Sequence, residues 1–172
     1  NLFGKTVDKN ANPRKIVKIN PQDGTQSVLV SEINDFTSGK TITNLYHPTG
    51  IDVDPVTGDL YIADSFSKVV WKLPGAVAGP LVGVSADADF LQPVHIVAAP
   101  NGGAATQFLY MTDGETVAPG AAYALGSRRL HKVDLSIDIA VDANNSIIFE
   151  DDGFFEEPRG VEVIPANPQT GN

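Results

Sequence analysis

The chain has 172 residues and no cysteine, and its 21 acidic side chains outnumber its 12 basic ones to give a formal charge of −9. This composition excludes disulfides and thiolate metal sites. It also disfavours binding to nucleic-acid phosphates or to an anionic membrane surface. No apolar run is long enough to cross a membrane, so we expect neither a membrane span nor a nucleic-acid partner.

Short strands separated by turns are the predicted elements along the whole chain. Two strands are expected within 14–31, a four-stranded unit within 48–85, a second within 93–150, and one more strand at 159–164. In the clearest unit the strands fall at about 49–54, 59–64, 68–73 and 80–85, from period-two alternation and Gly/Pro punctuation. No stretch has helix caps and a 3.6-residue period, so the sequence predicts an all-β protein.

Three sequence signatures recur along the chain in the same order. The first begins at Pro48, Pro93 and Pro158, and the second comprises Leu60–Asp64 and Leu109–Asp113. The third has alternating apolar residues around a lysine and comprises 16–19, 70–73 and 130–133. Pro48 and Pro93 are 45 residues apart, Tyr61 and Tyr110 are 49 apart, and Lys18 and Lys72 are 54 apart. Four-stranded units at about this period are typical of β-propeller blades.

The segment 47–73, HPTGIDVDPVTGDLYIADSFSKVVWKL, resembles an NHL-type repeat of the kind found in six-bladed propellers. The resemblance extends over 92–134 and is partial at both ends. It implies one partial propeller domain, 1–172, with about three blades of four antiparallel strands. The expected blade parts are 1–47, 48–92, 93–157 and 158–172.

A closed propeller needs 4–8 blades, more than this chain supplies. The first residue is Asn1 and the single methionine is Met111, so we interpret the sequence as a piece with a processed or truncated start. If the last residue, Asn172, is placed before the first, Asn1, the joined sequence resembles residues 55–61, a turn and the start of the strand after it. The two ends of the chain therefore look like the two parts of one such segment. The expected partners are other protein chains, either a second copy that shares a blade or the rest of the same propeller.

The repeat register places one histidine and two carboxylates on innermost strands, which line the channel of a propeller. His95 is equivalent to Gly50 and Gly160, while Asp52 and Glu162 follow those glycines by two residues. Two carboxylates at an axis repel each other unless a cation lies between them. We therefore predict a metal site of Asp52, His95 and Glu162, with Arg159 at its rim.

NHL-like blades also occur in the gluconolactonase and peptidyl-amidoglycolate lyase groups, and these resemblances imply different metals. The lyase resemblance implies a catalytic metal such as zinc held by channel histidines, where only His95 is at a suitable position. The lactonase resemblance implies calcium held by oxygen ligands. His95 and Arg159 are the candidate catalytic residues. The alternative is structural, in which Asp52 satisfies exposed backbone amides and His95 binds a neighbouring strand.

Several other recurring polar residues are expected to be structural. Asp64 and Asp113 end the second strand of their units and should accept backbone N–H groups in the turn that follows. His131 is at a packing position of a third strand, and His47 should cap a loop. The recurring lysines should point into solvent: Lys18, Lys72 and Lys132.

Two loops are candidates for binding other proteins. The insertion 114–127 lengthens one connection with Ala, Pro and Gly, and 150–157 combines five carboxylates with two phenylalanines. The leading hypothesis is a non-catalytic interaction or scaffold module, placed outside the cytoplasm because the chain is acidic and lacks cysteine. The alternative hypothesis is a calcium- or zinc-dependent lactonase or lyase with its site at the central channel.

Overall fold

The computed structural model describes residues 15–31, 45–86, 90–101, 103–114, 128–137, 145–150 and 161–162. These residues form ten strands and one 3-10 turn, Pro74–Ala76. The strands are β1 (Lys15–Ile19), β2 (Gln26–Ser31), β3 (Pro48–Val53), β4 (Leu60–Asp64), β5 (Val69–Leu73), β6 (Val82–Ala86), β7 (Pro93–Asn101), β8 (Ala104–Gly114), β9 (Arg128–Asp134) and β10 (Asn145–Glu150).

The strands pair with their neighbours in the sequence to give three antiparallel sheets. The first is the hairpin β1–β2, the second is the meander β3-β4-β5-β6, and the third is the meander β7-β8-β9-β10. Direct pairs such as Tyr61 with Lys72 and Tyr110 with Lys132 stand at equivalent places in the two meanders. The prediction of an all-β chain with four-stranded units at 48–85 and 93–150 is confirmed.

The β3–β6 sheet is covered on both faces. Every residue of β4 is buried, although neighbouring side chains on a strand point to opposite faces. On one face Leu60, Ile62 and Leu73 join a cluster with Leu29 and Val30 of the hairpin. The other face packs against the β7–β10 sheet through a second cluster: Tyr61, Ala63, Val70, Phe90, Ile96, Ala98, Leu109, Met111 and Val133.

Face-to-face packing therefore follows chain order, from the hairpin to the β3–β6 sheet and then to the β7–β10 sheet. The first strands of the two meanders, β3 and β7, lie side by side. They are so close at Gly50 that a Cβ atom added there would stand 2.8 Å from the Cα atom of His95. Within the described residues these sheets form no closed ring. The described part of the chain also contains no helix long and apolar enough to cross a membrane.

Candidate functional site

The contact between β3 and β7 contains the first predicted site residue. A Cβ atom at Gly50 would meet three backbone atoms of His95 and Ile96 at 2.8 to 3.0 Å, so the strands approach this closely because position 50 is glycine. Beside it, Asp52 accepts the N–H of Ala98 on Oδ2 at 2.8 Å and that of Val53 on Oδ1 at 2.8 Å. Both carboxylate oxygens of Asp52 are therefore engaged by backbone amides.

His95 on β7 contacts the next segment of the chain, as Gly50 on β3 contacts β7. Its Nδ1 atom accepts the N–H of Val161 at 3.4 Å, a long hydrogen bond. In the repeat register this matches the contact of Gly50 with the backbone of Ile96, one unit earlier. Glu162 follows Val161 and is exposed, and Arg159 lies outside the described residues. His95 thus binds the backbone of a neighbouring segment, as the structural alternative expects.

The three proposed metal ligands lie on segments that are neighbours. However, the described parts of the chain hold no cluster of three His, Asp or Glu side chains arranged to bind a metal ion. Asp52 accepts one amide N–H on each oxygen, so each oxygen keeps one lone pair that could face a metal ion. The metal site of Asp52, His95 and Glu162 remains a prediction from the sequence.

Asp54 is a carboxylate that the sequence analysis did not single out. It is buried in the turn between β3 and β4, where its Oδ1 accepts the N–H of Val56 at 2.8 Å. Its Oδ2 reaches the next sheet and accepts the N–H of Thr106 at 2.8 Å. Burial by itself would raise the pKa of Asp54, but the hydrogen bonds from Thr106, Val56 and Thr57 outweigh it and lower the pKa.

Asp64 holds the loop that leads into β3. Its Oδ2 accepts the N–H groups of Tyr46 at 2.6 Å and His47 at 2.8 Å, and its Oδ1 accepts those of Phe66 and Ser67. The bonds to Phe66 and Ser67 confirm the predicted role in the following turn. The bonds to Tyr46 and His47 were not predicted from the sequence. They join the residues before β3 to the end of β4.

An aromatic pair lies at this end of the sheet, where half-buried Tyr46 of the loop before β3 meets exposed Phe66 of the β4–β5 turn. The ring of Phe66 is 73% exposed and lies 5.4 Å from the ring of Tyr46, centroid to centroid. Beside it the Nδ1 atom of His47 is 2.6 Å from Oγ of Ser65, and the carbonyl of His47 accepts the Ser65 N–H. This agrees with the expected loop-capping role of His47.

Asp113 repeats the role of Asp64 one unit later. It accepts the N–H groups of Leu91 and Gln92, the two residues that precede the first strand of its sheet. In addition, its Oδ2 lies 3.2 Å from Nε2 of His131, and both side chains are fully buried. The two side chains form an ion pair only when His131 is protonated, and Nε2 of His131 makes no hydrogen bond.

His131 packs in the core of the β7–β10 sheet, as expected. Its ring meets the ring of Phe90 edge-on at 5.0 Å, and its Nδ1 lies 3.0 Å from Oδ1 of Asn145. Both ring nitrogens of His131 are therefore turned to oxygen atoms within the sheet. The burial of this histidine leaves no surface through which a substrate could reach it.

The prediction that Lys72 points into solvent is wrong. Its Nζ atom lies 2.5 Å from Oδ2 of Asp59 and 5.9 Å from the ring centre of Tyr61. Burial would raise the pKa of Asp59, but the hydrogen bond from Lys72 and the N–H of Gly75 lower it overall. Burial also raises the pKa of Tyr61 to about 12, and the charges of Asp59 and Asp54 act in the same direction.

The other two lysines behave differently from each other. Lys18 is exposed as expected, whereas Lys132 is half-buried and holds its Nζ atom 3.8 Å from the centre of the Phe108 ring. Most of each predicted binding loop lies outside the described residues, namely 115–127 and 151–157.

No protein-family model matches the chain, and no curated protein matches it in sequence. The resemblance to NHL-type repeats therefore rests on the residues quoted above.

Proposed function

We propose that this protein is a non-catalytic interaction module built on an NHL-like β-propeller. The observation that carries the proposal is how its carboxylates are used. Asp52, Asp54, Asp64 and Asp113 each accept at least two N–H groups from the backbone. Carboxylates engaged in this way hold strands and loops together, which gives each of them a structural role in the sheet.

The arrangement of the sheets supports the propeller part of the proposal. Two four-stranded meanders follow each other in the chain, with their first strands β3 and β7 side by side and their faces packed together. The backbone of Val161 contacts His95, just as the backbone of Ile96 approaches Gly50 at the equivalent position one unit earlier. This is expected if a further innermost strand begins at Val161. Blades arranged about an axis would repeat this relation at each step.

The surface that we propose for a protein partner is the loop end that carries Tyr46 and Phe66. Exposed aromatic side chains beside polar groups are typical anchors of protein interfaces. The β4–β5 turn that holds Phe66 occupies the place in the sequence repeat that the connection 115–127 occupies in the next unit. The acidity of the chain and its lack of cysteine support an extracytoplasmic setting, with the partner another protein.

Site-specific cross-linking tests the interaction surface. Phe66 is replaced by photoreactive p-benzoylphenylalanine, and the protein is irradiated in an extract of cells that carry it. Val56 provides the matched control, because it is also exposed but lies in the β3–β4 turn at the opposite end of β4. We expect one discrete cross-linked protein from position 66 and none from position 56. Equal labelling from both positions would contradict the proposed surface.

Metal titration separates the module from the enzyme hypothesis. Calorimetry with Ca²⁺ and with Zn²⁺ should show no saturable binding to the metal-free protein, and the melting temperature should not change with either ion. Asp52→Asn and His95→Gln are the informative variants. Saturable binding that both variants abolish would establish the channel metal site and favour the lactonase or lyase hypothesis.

A further inference from the structure

Each sheet has two faces, which we name by the direction of the chain. The leading face is the one turned toward the preceding sheet, and the trailing face is the one turned toward the following sheet. In the third strand of each unit, the leading positions are Val17 and Ile19 in the hairpin, Trp71 and Leu73 in the β3–β6 sheet, and His131 and Val133 in the β7–β10 sheet. These pairs occupy equivalent places in the sequence repeat.

The same leading positions are covered in two units and exposed in the first. Leu73 and Val133 have no exposed surface, because they belong to the clusters between sheets, and His131 is buried equally against the ring of Phe90. Ile19 is instead 59% exposed, and Val17 and its cross-strand partner Val28 are exposed as well. The hairpin thus presents an apolar face of the kind that a sheet covers elsewhere in this chain.

The trailing faces also differ, although Thr112 on the trailing face of the β7–β10 sheet is buried. Tyr61 is buried under the β7–β10 sheet, whereas its equivalent Tyr110 is half-buried. Tyr110 pairs with Lys132, as Tyr61 pairs with Lys72, so the two trailing faces have matching chemistry. The chain therefore carries both halves of a contact that it already makes twice between its own sheets.

We propose that the hairpin of a second copy docks on the trailing face of the β7–β10 sheet. The leading face Val17, Ile19 and Val28 of one copy covers Tyr110 and Lys132 of the other. The position is continuous with a contact already present, because Val161 lies beside His95 on this side of β7. A twofold axis makes the same contact at both ends of the pair, and two such contacts close the assembly.

This inference rests on the proposed propeller arrangement, and it deepens the proposed function by naming one partner as a second copy. The test is the mass of the native protein by light scattering and native mass spectrometry over a wide range of concentration. We expect a mass twice the 18.2 kDa of the chain. A protein that stays monomeric at every concentration overturns the proposal, whereas the cross-link from Phe66 would then still be expected.

Paired variants establish which faces meet. Ile19→Asp disrupts the leading face and Tyr110→Asp the trailing face, and each should weaken dimerisation at least about tenfold. Val77→Asp is the control, because Val77 is an equally exposed aliphatic residue in the β5–β6 connection. Circular dichroism verifies folding, and Lys132→Glu replaces Tyr110→Asp if that variant unfolds.

Mixing the two interface variants then tests the head-to-tail geometry. The mixture has one intact contact, between the trailing face of the Ile19→Asp chain and the hairpin of the other chain. We expect dimers to reappear in the mixture although each variant alone is monomeric. If Ile19→Asp leaves the dimer intact, or if the trailing-face variant alone still dimerises fully, the proposed contact is wrong.

Discussion

The β3–β6 and β7–β10 sheets have the same strand order and an aspartate at the same place, yet they stabilise that aspartate differently. Asp64 accepts four backbone N–H groups from the loops on both sides of it. Within the described part of the chain, Asp113 accepts the N–H groups of Leu91 and Gln92, as Asp64 accepts those of Tyr46 and His47, and it also faces the buried ring of His131. The third strand explains the contact with a histidine, because the position of His131 is taken by Trp71 in the earlier sheet.

The repeated aspartate binds the same backbone N–H groups in both sheets, whereas the charged or ionisable side chain that it faces depends on neighbouring residues that are not repeated. Both aspartates bind the two residues before the proline that begins their sheet. The ion-pair contact depends on one residue of the third strand, which differs between the units. A buried carboxylate beside a histidine is therefore insufficient to indicate catalysis, since here it has a purely structural explanation.

The largest expected effect comes from removing the charge of Asp113. When His131 is protonated, Asp113→Asn leaves a buried charge beside an amide, which should cost about 3–5 kcal/mol of unfolding free energy. Asp64→Asn should cost less, about 2 kcal/mol, because hydrogen bonds to backbone amides are lost without stranding a second ionisable group. Urea unfolding measures both values.

A double-mutant cycle makes the same comparison sharper. In a His131→Leu background, Asp113→Asn should become milder, whereas Asp64→Asn should keep its full cost. Equal coupling of both aspartates to His131 would show that the ion-pair contact is not what distinguishes the two sheets.

The next effect concerns the contact between the two sheets at Gly50. Gly50→Ala places a methyl group 2.8 to 3.0 Å from backbone atoms that cannot move away alone, so we expect a loss of about 2–3 kcal/mol. Gly79→Ala is the control, because its nearest atom would be at an ordinary 3.6 Å. His95→Gly at the equivalent position of the second sheet should cost less than Gly50→Ala. The reverse order in thermal unfolding would contradict the assigned register.

An alkaline titration tests how completely the second sheet covers Tyr61. The pKa of Tyr61 is raised to about 12, so the folded state holds this proton more tightly than the unfolded state. Its contribution to stability should be complete below about pH 10 and should disappear as the pH rises toward 12. Tyr61→Phe should flatten this part of the stability profile, and an unchanged profile would disprove the assignment.

The smallest effect is expected at acidic pH from the carboxylate that links the sheets. The pKa of Asp54 is lowered in the folded state, so its stabilising contribution is present above its unfolded pKa of about 3.9 and is lost as the pH falls below that value. Asp54→Asn should lower stability at neutral pH by about 1 kcal/mol and make the acid transition shallower. A variant with the same acid slope as the parent would contradict this role.

The sequence by itself determined the strands, their grouping in fours and the repeat register. Alternation, turn residues and the recurring signatures are local, and they suffice to place β3 to β6 within one or two residues of their observed bounds. The turn at Gly58 is a further example, because its φ of +73° is one that glycine adopts readily. The packing role of His131 also followed from its place in the repeat.

The tertiary structure decided which polar groups meet. The bonds of Asp52 to Ala98 and of Asp54 to Thr106 join residues 46 and 52 positions apart, on different sheets. The ion pair of Lys72 with Asp59 likewise depends on how a strand and a turn approach each other. Sequence periodicity states which face of a strand a side chain occupies. Which residues a face contacts depends on how the sheets pack. Buried polar groups find hydrogen-bond partners far away in the sequence, and a local sequence pattern contains no information about those partners.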